Sequence, residues 1–281
     1  MEAEMRQQPL LSVRGLSVEF KRARRQPFRA VDNVSFDIDK GQTLGLVGES
    51  GSGKSTIGNA LLGLVRPTAG TVLFEGRDIA SLSAAERRSI SGRLQVVFQD
   101  PYSSLNPSLR VGQIISEPLG VHTDLDQRQR SRAAAEMLER VGLPPSAMTR
   151  YPAAFSGGQR QRIAIARALI TRPHMVVCDE PVSGLDLSAQ AQVLNLLKDL
   201  QAEMGLAMLF ISHDLAVVRY VAGQIAVLLR GKVVEEGATA KVNSAPEHPY
   251  TKRLLAASPA PNPAAQQRAR ELRRQLQTAS A

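Results

Sequence analysis

With 281 residues, 43% of them hydrophobic and 22% charged, the chain can bury one large core or two modest ones and reads as ordinary globular protein. Its single cysteine, Cys178, excludes an internal disulfide framework and any multi-cysteine zinc or iron–sulfur site. The net charge of +9 comes with only 4% aromatic residues, no tryptophan and no recognisable nucleic-acid module, so it is read as a solvated face or mild attraction to an anionic membrane, not as nucleic-acid binding.

Residues 10–20 and 30–38 alternate apolar and polar positions, which predicts two half-buried antiparallel strands. The basic stretch 21–27 between them reads as an exposed connector. An apolar run at 42–47 leads into a Gly-rich turn, and helical spacing predicts a helix over 54–65, ahead of Pro67. Strands are predicted at 71–74 and 94–98. Between 111 and 141 the pattern turns helical, with Ile114, Ile115, Ala134, Met137, Leu138 and Val141 as core candidates. Loop signals gather at Pro144, Pro145 and Pro152. A helix at 158–171, a strand at 175–178, a helix at 188–203 and a strand at 207–211 follow. Strands separated by helices imply an α/β fold with a parallel sheet, here with an N-terminal antiparallel β lobe and an inserted α-helical lobe. The Pro/Ala/Arg-rich segment 259–281 reads as a mobile basic tail, in which 264–277 has the composition of a solvated helix. No window reaches the roughly 18 apolar residues of a membrane span, and the N-terminus lacks a secretory signal's apolar stretch. A cytosolic location is expected.

The strongest local signal is Gly48-Glu49-Ser50-Gly51-Ser52-Gly53-Lys54-Ser55-Thr56, which matches G-x-x-x-x-G-K-[ST] between an apolar strand and a helix. Glycines let successive N–H groups point at phosphate oxygens, and the helix adds its positive end. Lys54 supplies a point charge for the β- and γ-phosphates, and Ser55 a hydroxyl for Mg²⁺. A second signal is the apolar strand ending in Asp179-Glu180. At a strand's carboxyl end beside a phosphate loop, Asp179 is placed to hold Mg²⁺ and Glu180 to polarise an attacking water. Cys178 reads as a small buried residue.

Those motifs specify a nucleotide hydrolase. Phe155-Ser156-Gly157-Gly158-Gln159 resembles the signature of the ABC ATPase family, usually L-S-G-G-Q, with Phe in the first position. The resemblance covers residues 10–237. It implies that Gln99 is the glutamine sensing Mg²⁺ and the γ-phosphate, and that Ser183-Gly184-Leu185-Asp186 is the D-loop, usually S-A-L-D. It also implies that His213 is the switch histidine contacting the γ-phosphate. Phe20 is favoured as the adenine-stacking aromatic, with Phe28 as its competitor. Catalysis is thereby expected from Glu180, His213, Lys54 and Gln99, with ATP and Mg²⁺ as cofactors and Ser55, Gln99 and Asp179 at the metal. The nucleotide is expected between the phosphate loop of one ATPase subunit and Ser156, Gly157, Gly158, Gln159 and Asp186 of another, identical or related, paired head to tail.

Two further stretches, 97–107 and 246–255, resemble the dipeptide, oligopeptide and nickel importers of that family. This implies two membrane-spanning permease subunits, an extracytoplasmic solute-binding protein and a place on the cytoplasmic face of the inner membrane. Tyr102 and Leu105 become candidate contacts to the permeases. An ATPase domain over 10–240, its helical lobe inserted at about 101–162, is then followed by an extension over 241–258 and the tail. The iron–sulfur cluster of some relatives is not expected, for want of cysteines.

Overall fold

The computed structural model describes residues 8–22 and 25–257. The expected basic tail after 259, and the centre of the basic cluster at 21–25, lie outside the described residues. Alternating residues form β1 (Leu11–Arg22) and β2 (Arg25–Ile38), an antiparallel pair in which Leu11 faces Ile38 and Phe20 faces Phe28. The strands thus run on into the segment expected to be a connector. Ladder pairing extends past the apolar pattern there, helped by Glu19, which faces Arg29 and meets it at 2.7 Å.

Next come β3 (Thr43–Val47), α1 (Lys54–Leu62), β4 (Ala69–Phe74) and β5 (Arg77–Asp78). Helix α1 stops short of residue 65 because Gly63, in the left-handed conformation, turns its N–H back to the carbonyls of Ala60 and Asn59. Helix α2 (Ala84–Ser91), where the sequence pattern placed no element, is held by a capping box between Ser83 and Glu86. After β6 (Leu94–Val97) and the short α3 (Pro101–Ser104), the helical region splits into α4 (Val111–His122) and α5 (Gln127–Arg140). The break falls where Asp126 caps α5 by accepting from the Gln129 N–H at 2.8 Å.

The rest of the chain supplies α6 (Gly157–Leu169), β7 (Met175–Asp179), α7 (Leu187–Met204), β8 (Ala207–Ser212) and α8 (Leu215–Val221). It ends with β9 (Gln224–Leu229), β10 (Lys232–Ala238), α9 (Thr239–Ser244) and α10 (Pro249–Ala257).

Two sheets result. One has the order β2-β1-β4-β5; the other runs β10-β9-β3-β8-β7-β6, parallel except for β10 at its edge. The inner strands β3, β8 and β7 are covered on both faces, which is why they read as apolar runs. In β7, Met175 and Val177 face the β lobe and α1, while Val176 and Cys178 face the helical side. Likewise Leu209 and Ile211 of β8 point one way, and Met208 and Phe210 the other. Helices α4, α5 and α6 pack together through Ile114, Ile115, Met137, Leu138 and Ile163 to make the inserted lobe. The carboxyl ends of β3, β6, β7 and β8 are thereby gathered at one rim, where open α/β sheets bind ligands.

Phe210 is fully buried in the central strand β8. Phe210→Ala is expected to lower unfolding free energy by roughly 3–5 kcal/mol, measured by urea denaturation. A loss under about 1 kcal/mol would place Phe210 outside the close-packed core.

Candidate nucleotide site

Every residue of β3 is buried, so the chain leaves the sheet at Val47 with little freedom, and the loop turns through Gly53 at φ 106 into α1. A Cβ on Gly53 would lie 2.3 Å from the Ala30 carbonyl oxygen, so both backbone angle and space require glycine. The N-cap of α1 is Gly53, which has no side chain to cap the helix. Its first-turn N–H groups, from Lys54, Ser55 and Thr56, have no intrahelical partners and form a ready anion cradle. The loop is fixed by Ser52 N–H to the Glu49 carbonyl at 3.1 Å and by Gly231 N–H to the Ser52 carbonyl at 2.9 Å.

Lys54 is only 4% exposed. Its ammonium donates to the carbonyls of Gly48 at 2.7 Å and Glu49 at 2.9 Å. Burial pulls its pKa below the ordinary lysine value, and the charges of Glu180, Asp179 and Glu49 oppose that shift. Desolvation dominates, so the cation is held ready for a stronger anionic partner.

Asp179 closes β7 and accepts from the Ser55 hydroxyl at 3.0 Å. Burial raises its pKa above the usual carboxylate range and Glu180 adds to this, while the Ser55 hydrogen bond and Lys54 act the other way. Glu180 follows at φ 46, a left-handed conformation costing a non-glycine residue of order 1–3 kcal/mol. That conformation is held by Glu180 N–H to the Ile211 carbonyl at 3.0 Å and by the Ser183 N–H and hydroxyl donating to the Glu180 carbonyl. Its carboxylate accepts from the Gln99 amide at 3.3 Å and lies 3.1 Å from His213 Nδ1. Gln99 after β6 and His213 after β8 thus converge on one carboxylate oxygen of Glu180, after the strand between them, β7.

Phe20 and Phe28, paired across the β lobe and each 41% exposed, line the same cavity as Ser50, Gly51, Gly53, Lys54, Ser55, Thr56, Gln99 and Glu180. The cross-strand register sets the two rings side by side, so the competitor weighed against Phe20 is its neighbour. Ser156, Gly157, Gly158 and Asp186 line a different cavity, shared with Gln99, Ser183 and Gly184. There Ser156 caps α6, and its N–H is bonded by the Gln159 side chain at 3.1 Å. Asp186 caps α7 by accepting from the Ala189 N–H at 2.9 Å. The chain therefore does not bring its own signature residues to its own phosphate loop.

Glu49 faces a third cavity with Tyr250. That tyrosine, within a stretch noted only for its subfamily resemblance, is a contact that sequence reasoning missed. Of the two candidate permease contacts, Tyr102 is 61% exposed, its ring under the Arg160 guanidinium at 4.0 Å. Leu105 is 1% exposed, packed in the core, and is withdrawn as a surface contact. Among the described residues no helix is long and apolar enough to cross a membrane.

Because the folded Asp179 carboxyl holds its proton more tightly than an unfolded one, its contribution to stability grows as pH falls through the raised pKa and is unfavourable above it. Asp179→Asn, which mimics the protonated form, is expected to raise the melting temperature of the nucleotide-free chain at pH 7 while abolishing ATP turnover. A lower melting temperature at that pH would contradict this reading.

Residues 31–183 match the family model described as ABC transporter, and residues 234–281 match the oligopeptide/dipeptide transporter C-terminal region. The oligopeptide transport ATP-binding protein AppF of Bacillus subtilis is 50% identical over 232 residues, 82% of this chain and 70% of that protein. A Brucella ovis protein provisionally named for ATP-binding in peptide import is 51% identical over 259 residues, 92% of this chain and 81% of that protein. The ATP-binding cassette MJ0796, solved as a post-hydrolysis dimer with ADP and Pi, is 30% identical with a TM-score of 0.75, covering 82% of this chain and 98% of that one. The chain belongs to the ABC transporter family, as one of its ATPase subunits.

Proposed function

We propose that this ATPase energises the import of dipeptides and oligopeptides through a pair of permease subunits, at the cytoplasmic face of the membrane. The observation that carries the substrate class is the oligopeptide/dipeptide transporter match over 234–281, together with relatives named for peptide import. An extracytoplasmic solute-binding protein completes the proposed assembly.

Within the site, the phosphates lie over the first turn of α1. The Lys54 ammonium has three N–H donors, so it keeps the Gly48 carbonyl and turns the others to the β- and γ-phosphates, a gain because charge-assisted bonds are stronger than those to neutral carbonyls. One phenyl ring, Phe20 or its neighbour Phe28, stacks on the base. The Ser55 hydroxyl and Asp179 carboxylate, 3.0 Å apart, would hold Mg²⁺, a cation that takes few protein ligands. When bound, Mg²⁺ would neutralise charge on the transferring phosphoryl group.

Glu180 is the group that accepts the proton of the attacking water. Gln99 and His213 hold its carboxylate in place, and His213 is more than half exposed, free to turn toward a γ-phosphate. Because Ser156, Gly157 and Gly158 line a separate cavity, a second ATPase subunit must supply those donors, in the head-to-tail pairing expected from the sequence.

Lys54→Ala is expected to weaken ATP binding roughly ten- to a hundredfold, the range of one charged hydrogen bond. In source cells it should abolish uptake of labelled di- and oligopeptides while leaving Ni²⁺ uptake intact. Intact peptide uptake would remove the importer reading without touching the ATPase. Glu180→Gln is expected to retain ATP binding and lose at least about a hundredfold in turnover. Parental turnover in that variant would assign the water to another residue.

A further inference from the structure

Helix α10 lies 201 residues from the phosphate loop in sequence, yet its Tyr250 hydroxyl accepts a hydrogen bond from the Glu49 N–H at 2.9 Å. Tyr250 is 3% exposed while Glu49 is exposed, so the bond is partly shielded from water, and losing the hydroxyl removes a partner at the buried end. The Glu49 N–H and the Gly48 C=O belong to one planar peptide unit. That carbonyl is the closer of the two that hold the Lys54 ammonium, at 2.7 Å. One rigid plane is therefore gripped on one edge by Tyr250 and on the other by Lys54. Rotating it to break either bond strains the other.

We propose that Tyr250 is a positioning residue of the phosphate loop, so that the C-terminal extension forms part of the ATP site. The extension is itself anchored for this purpose. The Glu235 carboxylate, on β10, accepts from the backbone N–H groups of Glu247 at 2.8 Å and His248 at 3.0 Å, fixing the entry to α10. His248 Nδ1 in turn accepts from the Tyr250 N–H at 3.1 Å. Burial, the leading cause, raises the Tyr250 pKa, which keeps the phenol neutral at physiological pH. Glu235 therefore sets the start of α10, α10 sets the hydroxyl, and the hydroxyl sets the plane on which Lys54 rests.

The loop contacts phosphate in both ground and transition states, so loss of the hydroxyl should weaken binding uniformly, raising KM without lowering kcat. Tyr250→Phe removes the oxygen and keeps the ring. In the purified full-length chain it is expected to raise the KM and calorimetric Kd for ATP roughly three- to tenfold, the range of one neutral hydrogen bond, with kcat and melting temperature unchanged. A KM and Kd equal to those of the unsubstituted chain would overturn the proposal. So would a rise in KM matched by a lower melting temperature, since that is general loosening and not positioning. The inference rests on the ATPase reading: absence of ATP binding by the unsubstituted chain would overturn both, whereas normal ATP binding with an unaltered Tyr250→Phe variant removes the role of Tyr250 alone.

Discussion

A lysine ammonium held out of water organises this molecule. Lys54 is desolvated at the start of α1, hydrogen-bonded to two loop carbonyls and faced by the carboxylates of Asp179 and Glu180. A buried cation is tolerable only while it is hydrogen-bonded and offset by opposite charge. That requirement is met where a tightly curled loop, two acids at a strand end and a glutamine and histidine just after the adjacent strands gather at one rim. The same arrangement explains the strain at Glu180. The carboxylate reaches Gln99 and His213 only because its backbone is held left-handed by bonds to Ile211 and Ser183.

The same geometry divides the chemistry between surfaces. The phosphate loop, both phenyl rings and Glu180 share one cavity, while Ser156, Gly157, Gly158 and Asp186 share another, with Gln99 on both. Neither cavity alone surrounds a polyphosphate with donors. Under the proposed head-to-tail pairing, each nucleotide becomes the contact between two subunits, so ATP binding closes the pair and loss of the γ-phosphate releases it. Contacts made only in the closed state are what such a population shift requires.

Much of this was legible in the sequence because the chemistry sits in short contiguous motifs. Residues 48–56 placed the loop, Asp179-Glu180 placed the acids, and Gln99 and His213 fell at strand ends, as the family resemblance implied. The apolar runs at 42–47, 175–178 and 207–211 announced a sheet buried on both faces. What stayed hidden depended on partners far along the chain. Helix α2 is largely polar and shows itself only through the Ser83–Glu86 capping pair. The β hairpin lengthens by cross-strand pairing that no single-strand pattern encodes. Leu105 looked like a surface contact until packing buried it, and Tyr250 reaches Glu49 through an arrangement that no local window contains.

Under the proposed pairing, catalysis needs two ATPase subunits because one chain separates its phosphate loop from its signature. The most direct measurement is ATP turnover per chain as the purified protein is diluted, in a fixed excess of ATP and Mg²⁺. Turnover per chain is expected to fall with dilution as pairs dissociate and to be restored by adding the second ATPase subunit. A turnover per chain that stays constant down to the monomeric range would contradict the pairing, because a lone chain would then be completing the site by itself.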